Sequence, residues 1–160
     1  MRKILLFIAL AFSMAINAQV TKVTLQASGL TCSMCSNSIN KALKRLDFVD
    51  KVDADIKKYT FEISFKSNSN VDFDMIRRKV EGAGFTVSGF VATIYFENVQ
   101  VTNGQPITLA GNTFYFINTG QQSLNGAKEV KVIDKGFVSP KESKRNAFPD
   151  PAPHIYHVTI

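Results

Sequence analysis

Cys32 and Cys35 are the chain's two thiols, and His154 and His157 are its two imidazoles. The cysteines stand in Gly29-Leu30-Thr31-Cys32-Ser33-Met34-Cys35, where a glycine ends an apolar strand pattern and a helical pattern begins. A Cys-x-x-Cys at a loop-to-helix junction brings two sulfurs to one point. Unpaired N–H groups and the helix dipole there favour thiolate over thiol. Two thiolates make a soft, anionic ligand set. The motif holds no His, Asp or Glu, so hard ions find little to grip. Cu(I) fits best, then Hg(II), because both accept two ligands. Zn(II) or Cd(II) would need further ligands from water or a second molecule. A two-ligand site also suits handover, since a partner's thiol can enter before the first ligands leave.

Other uses of the same residues stay open. Outside a reducing cytosol an unmetallated pair can oxidise to a disulfide or serve thiol–disulfide exchange. Met34 could add a thioether, although a flexible loop side chain is the plainer reading. His154 and His157 lie three apart, so on a regular strand they point to opposite faces. They would share a metal only if the backbone bends near Pro153. No nucleophile elbow, Gly-rich phosphate loop or paired acidic motif is present, so binding rather than catalysis is expected.

Several elements must position the cysteines. Val23, Leu25 and Ala27 alternate with Thr24 and Gln26, which predicts a strand over 20–27. Ile39, Ala42, Leu43 and Leu46 recur at helical spacing. A second strand is expected over 49–56. A third follows, in which Tyr59, Phe61, Ile63 and Phe65 form the apolar face and are assigned to the core. A second helix carries Phe73, Ile76, Val80 and Ala83 inward, with Asp72 and Asp74 at its positive end and Gly84 at its exit. A fourth strand runs over 85–91. The order βαββαβ is the ferredoxin-like α+β arrangement.

The second half has a different texture. Strands are expected over 94–101, 107–109, 113–117, 129–133 and 154–160. Turns are expected at Asn103-Gly104, Gly111-Asn112, Asn118 to Gly120 and Asn125-Gly126, with a short helix near Pro140 and a Pro-broken stretch at Pro149, Pro151 and Pro153. Five short strands suggest a small all-β domain, such as an OB-like barrel or a sandwich, over residues 93–160. The boundary near Ala92 is soft, because the apolar run is continuous from Phe90 to Phe96 and one long strand could serve both halves.

The N-terminus reads as an address. Arg2 and Lys3 precede the apolar run Ile4 to Phe12, and Ala18 offers a cleavage point. The run is too short to span a bilayer, which needs about 20 apolar residues. The expected organisation is a signal peptide over 1–18, the ferredoxin-like domain over 19–92 and the β-rich remainder. The mature chain would be periplasmic or secreted. A formal charge of +6 over 160 residues is too modest for a dedicated nucleic-acid binder. Lys41, Lys44, Arg45, Arg77, Arg78 and Lys79 form basic helix surfaces, most simply read as solvated faces.

The motif from Gly29 to Cys35, the helix through Leu46 and the later Glu81-Gly82-Ala83-Gly84-Phe85 together resemble the heavy-metal-associated domain family. That domain is found in copper chaperones, in the cytosolic arms of metal-pumping ATPases and in a periplasmic mercury-binding protein. The resemblance covers roughly residues 20–91 and implies the βαββαβ fold. It also implies Cys32 and Cys35 as metal ligands, Cys32 being the more exposed, and a metal donor or acceptor protein as partner, such as a membrane metal transporter. Leu30 stands where Met is commonest in the family, at a position that packs inward. Phe85 stands at the loop position near the metal where members carry Phe, Tyr or Lys; Lys would help neutralise a bis-thiolate complex as Phe cannot. Copper ranks ahead of mercury as cargo.

Overall fold

The computed structural model describes residues 19–30, 33–148 and 152–160. The expected leader, together with Thr31, Cys32, Pro149 and Pro151, lies outside the described residues.

The first six elements are β1 (Gln19–Ser28), α1 (Ser33–Leu43), β2 (Val49–Asp55), β3 (Thr60–Phe65), α2 (Phe73–Gly82) and β4 (Thr86–Val101). They reproduce the βαββαβ order. β1 lies between β3 and β4, antiparallel to both, and β2 flanks β3. The alternation seen in the sequence becomes burial: Val23, Leu25, Phe61, Ile63, Phe90 and Ala92 are all at most 1% exposed. Helix α1 adds Ile39 and Leu43 to this core, and α2 adds Phe73, Ile76 and Val80. Asp72 caps α2, its Oδ1 accepting from Met75 N at 2.9 Å, which satisfies one of the helix's orphan donors.

The third strand departs from expectation at its start. Tyr59 is 46% exposed with φ 55°, in the turn before β3 rather than in the core. Asp55 Oδ1 accepts from the backbone N–H groups of Lys57 and Lys58, closing that turn and forcing the chain through a left-handed residue.

After Ala92 the chain continues the same sheet. β4 is one strand of 16 residues, about 50 Å long. Its first part pairs with β1 and its later part with β7 (Gln122–Val132). The remaining elements are β5 (Pro106–Leu109), β6 (Asn112–Phe116), α3 (Pro140–Asn146) and β8 (Ile155–Thr159). The sheet runs β2-β3-β1-β4-β7-β8-β6-β5, with β2 and β5 at its edges. The expected small barrel is therefore replaced by strands that extend the ferredoxin-like sheet. The apolar run from Phe90 to Phe96 carries β4 straight through the expected boundary, all of its buried side chains serving one core.

The Asn125-Gly126 pair expected to turn lies inside β7, opposite a bulge in β4. Phe96 pairs with Gly126 and Val99 with Leu124, so two residues of β4 face one of β7. Asn98 (φ 51°) and Gly126 (φ 74°) absorb the irregularity.

One aromatic centre joins the two halves. Phe73 of α2 meets Phe90 at 4.9 Å, Tyr156 of β8 at 5.1 Å and Phe114 of β6 at 6.1 Å between ring centroids. Phe137 sets its edge against both Phe90 and Tyr156.

Candidate metal-binding site

β1 delivers the chain to the site. It ends at Ser28, whose partner across the sheet is Thr86 of β4. Gly29 then turns at φ +87°, a conformation that L side chains rarely adopt. Leu30 follows, 8% exposed, and anchors the loop in the core.

Cys35 lies in the first turn of α1, half-buried and packed against the hydrophobic core. That first turn contains no acidic residue, and the positive end of a helix favours thiolate over thiol. Cys32 is outside the described residues, and its geometry relative to Cys35 is left to the sequence. Met34 is 79% exposed, pointing away from the core.

Phe85 closes the other side of the loop. A Cβ built on Gly29 would sit 3.8 Å from Phe85 Cδ1, an ordinary van der Waals contact. The ring, like Cys35, packs against the core. The α2–β4 turn thus reaches the β1–α1 loop, as the position of Phe85 in the sequence implied.

The histidines lie elsewhere. His154 precedes β8 at φ 60°, its Nε2 3.9 Å from Asp72 Oδ2. Asp72 caps the far end of α2 from Phe85, and a ten-residue helix is about 15 Å long. His157 is on β8, stacked on Phe148 at 4.3 Å, its Nδ1 2.7 Å from Asp134 Oδ1. The two imidazoles therefore serve separate carboxylates and do not converge. Among the described residues, no three His, Cys, Asp or Glu side chains gather as metal ligands.

The sequence reading missed two buried carboxylates. Asp74, read as a helix-dipole partner, is 8% exposed and receives hydrogen bonds from Tyr156 Oη (2.9 Å) and His154 N (3.3 Å). Burial first, and then the Asp74 carboxylate that its hydroxyl meets, push the Tyr156 phenol well above its ordinary range. Asp134 is fully buried, and its Oδ2 accepts from His157 N at 2.6 Å. Burial raises its carboxyl pKa, with the His157 contacts pulling the other way. The one available signal was an acid directly following the apolar strand Val130-Lys131-Val132-Ile133.

Arg77, expected on a basic surface, is instead held by Asp74 (3.4 Å) and Glu81 (2.9 Å) and lies over the Phe137 ring. Lys41, Arg45, Arg78 and Lys79 remain on the surface. With Ser38, Ala42, Gly82 and Ala83, they line a groove between α1 and α2. No helix among the described residues is long and apolar enough to cross a membrane.

The heavy-metal-associated domain model matches residues 24–86. The probable copper-transporting ATPase HMA5 of Arabidopsis thaliana is 32% identical over 121 residues, covering 73% of this chain and 12% of the ATPase. A probable copper-exporting P-type ATPase of Archaeoglobus fulgidus is 34% identical over 64 residues, and there the chain spans 8% of the relative. The periplasmic component of the mercuric transport protein from Pseudomonas fluorescens is 32% identical over 89 residues, 55% of this chain and 97% of that protein. Among solved structures, the yeast copper transporter domain Ccc2a is 31% identical, with 42% of this chain and 90% of that domain covered at a TM-score of 0.38. The matched model, spanning the cysteine loop and the Phe85 turn, and the near-complete coverage of the mercuric relative place this chain in the heavy-metal-associated domain family.

Proposed function

We propose that the chain is an exported soft-metal-binding protein that captures Cu(I) through Cys32 and Cys35. It then buffers the ion or passes it to another thiolate protein, such as a membrane metal transporter. The observation that carries this reading is Cys35 on the first turn of α1 and against the core, in the element that follows the Gly29 turn, inside the matched domain. A soft dithiolate at a helix N-terminus, in a motif that itself holds no His, Asp or Glu, favours a two-coordinate soft ion. The role is binding and transfer, with no chemical turnover. The groove lined by Lys41, Arg45, Arg78 and Lys79 offers an acidic partner a complementary surface. Nucleic acid is not among the partners proposed. The leader-like segment at residues 1–18 is the basis for a periplasmic or secreted location.

A second reading keeps the same cysteines and changes the cargo to Hg(II). It is favoured by the mercuric transport relative, matched over 97% of its length. A thiol–disulfide redox role is the third reading.

The test is a competitive Cu(I) titration of the reduced protein against a chromogenic chelator. One tightly held ion per chain is expected, lost in the Cys32→Ser/Cys35→Ser double variant. Binding equal to that of the double variant would remove the copper assignment. The same titration with Hg(II) then ranks the two metals. A reduction potential near those of thioredoxins, with insulin reductase activity, would favour the redox role.

A further inference from the structure

The two halves of the chain border a cleft that the cysteine loop does not account for. One wall is strand: Thr21 of β1, with Tyr95 and Glu97 of β4. The other is loop: Asn68 and Asn70 before α2, and the Ala110–Gly111 turn between β5 and β6. The hollow measures about 860 Å³, toward the upper end of the roughly 300–1,000 Å³ usual for ligand pockets. β1 starts beside it and ends at the cysteine loop, so about 30 Å of strand separates the two.

The loop wall is held in place. Asn70 lies so close to Gly111 that a Cβ there would stand 2.6 Å from Asn70 Oδ1, and Gly111 holds φ +77°. Ala110 and Asn68 also have left-handed backbone, at φ 50° and 58°. Behind the turn, Asn112 is 1% exposed, and its Nδ2 donates to Val71 O at 3.0 Å and to Ala110 O at 3.3 Å. These bonds fasten the turn to the chain beside Asn70, so the shape of the cleft is set before a guest arrives.

The chemistry of the walls is narrow. No Lys, Arg or His is among the lining residues, and Glu97 is their one acid. An anion therefore finds no counter-charge. Gln19, Asn68 and Asn70 supply amides, which both donate and accept. Thr21 Oγ1 donates to Thr93 O at 3.1 Å and Ser69 Oγ to Lys66 O at 2.7 Å, which leaves their lone pairs for a guest's hydroxyls. Tyr95 is 46% exposed and stands two residues from Glu97, on the same face of β4. A hydrocarbon guest would leave the amides unpaired. A simple amine would use Tyr95 and Glu97 alone. A ring with apolar C–H faces and a hydroxylated rim uses both the aromatic and the amides.

We infer that this cleft is a binding site for a neutral saccharide of one or two rings. A sugar ring rests on Tyr95, and Glu97 with the amides takes its hydroxyls. The inference rests on the loss of the leader proposed above, because Gln19, its junction, is part of the wall. The site uses no residue of the cysteine loop, and much of it lies beyond the matched domain, which ends at residue 86.

The test is an amide NMR titration of residues 19–160, which hold every described element. The probes are maltose, cellobiose and diacetylchitobiose, with spermidine as the cationic control. Saturable shifts are expected with at least one disaccharide, centred on Asn68, Asn70, Tyr95 and Glu97, with Cys35 unmoved. Tyr95→Ala and Glu97→Gln, both at exposed positions, are each expected to weaken that binding about tenfold. Cu(I) titration of the same samples reads metal capture separately and is expected to be unchanged in both variants. Absence of a saturable response to all three sugars would overturn the inference, whatever the Cu(I) result. So would sugar binding that both variants leave intact, or a response to spermidine alone.

Discussion

Tyr156 donates its hydroxyl to Asp74 at 2.9 Å, joining β8 to the first turn of α2 across 82 residues of chain. The same carboxylate oxygen accepts from His154 N, and the other oxygen meets Arg77. A buried carboxylate is tolerable only when its lone pairs are occupied. Tyr156→Phe removes one of these donors while keeping the ring in the aromatic centre. It is expected to cost about 1–3 kcal/mol, read as a lower urea midpoint with an unchanged slope. A midpoint equal to that of the wild type would show the bond to be energetically idle.

Asp134 gives stability a pH dependence. Its native carboxyl pKa is raised above the ordinary 3.8 by burial. Native protein therefore binds this proton more tightly than the unfolded chain does. Its favourable contribution is complete below pH 3.8 and is lost as pH rises through the native pKa. In Asp134→Asn that loss is absent. The stability gap between wild type and variant should therefore shift against the wild type as pH climbs through this window. Urea melts at stepped pH measure it, and parallel profiles for the two proteins would contradict the assignment.

Cutting the chain after Ala92 severs β4 in mid-strand and strips Phe73 of Phe114 and Tyr156. The fragment is expected to lose cooperative unfolding and amide dispersion in the NMR spectrum, although it retains both cysteines. A fragment with a sharp melt and native-like spectra would show that the first half stands alone.

Gly29→Ala places a Cβ at φ +87°, with room around it but against its backbone preference. The expected destabilisation is about 1–2 kcal/mol. Because Gly29 sets the entry to the cysteine loop, Cu(I) affinity should fall with it. An unchanged melt and unchanged affinity would mean that the loop relaxes into another conformation.

The parts of this fold that rest on local pattern were legible in the sequence. Val23, Leu25 and Ala27 announced β1 by alternation, and Phe73, Ile76 and Val80 announced the inner face of α2. The cysteine loop and the Phe85 turn were readable as a motif, and Phe85 does lie against Gly29. Features created by distant segments were not legible. Nothing around Asp74 shows that a tyrosine arrives from 82 residues away, so its acid read only as a partner of the helix dipole. Arg77 read as surface charge because Phe137, which it covers, belongs to the other half. Asn125-Gly126 has turn chemistry and is used for it, but inside a strand, where the extra residue sits on the neighbouring β4.

An eight-stranded ribbon with two edges offers two places where a ninth strand from another molecule could add. Both are poor templates for such growth. β5 is four residues long and opens with Pro106, which has no N–H to donate. β2 carries the exposed charges Asp50, Lys51, Asp53 and Asp55, with Lys51 paired to Asp53 at 2.7 Å. A newcomer would have to desolvate those charges to zip onto the backbone. The long β4, richest of all in β-forming apolar residues, is sealed in the middle of the ribbon between β1 and β7. The segment best able to seed a fibril is thus sequestered by its own neighbours once folding is complete, and its exposure is confined to the interval before β1 and β7 close over it.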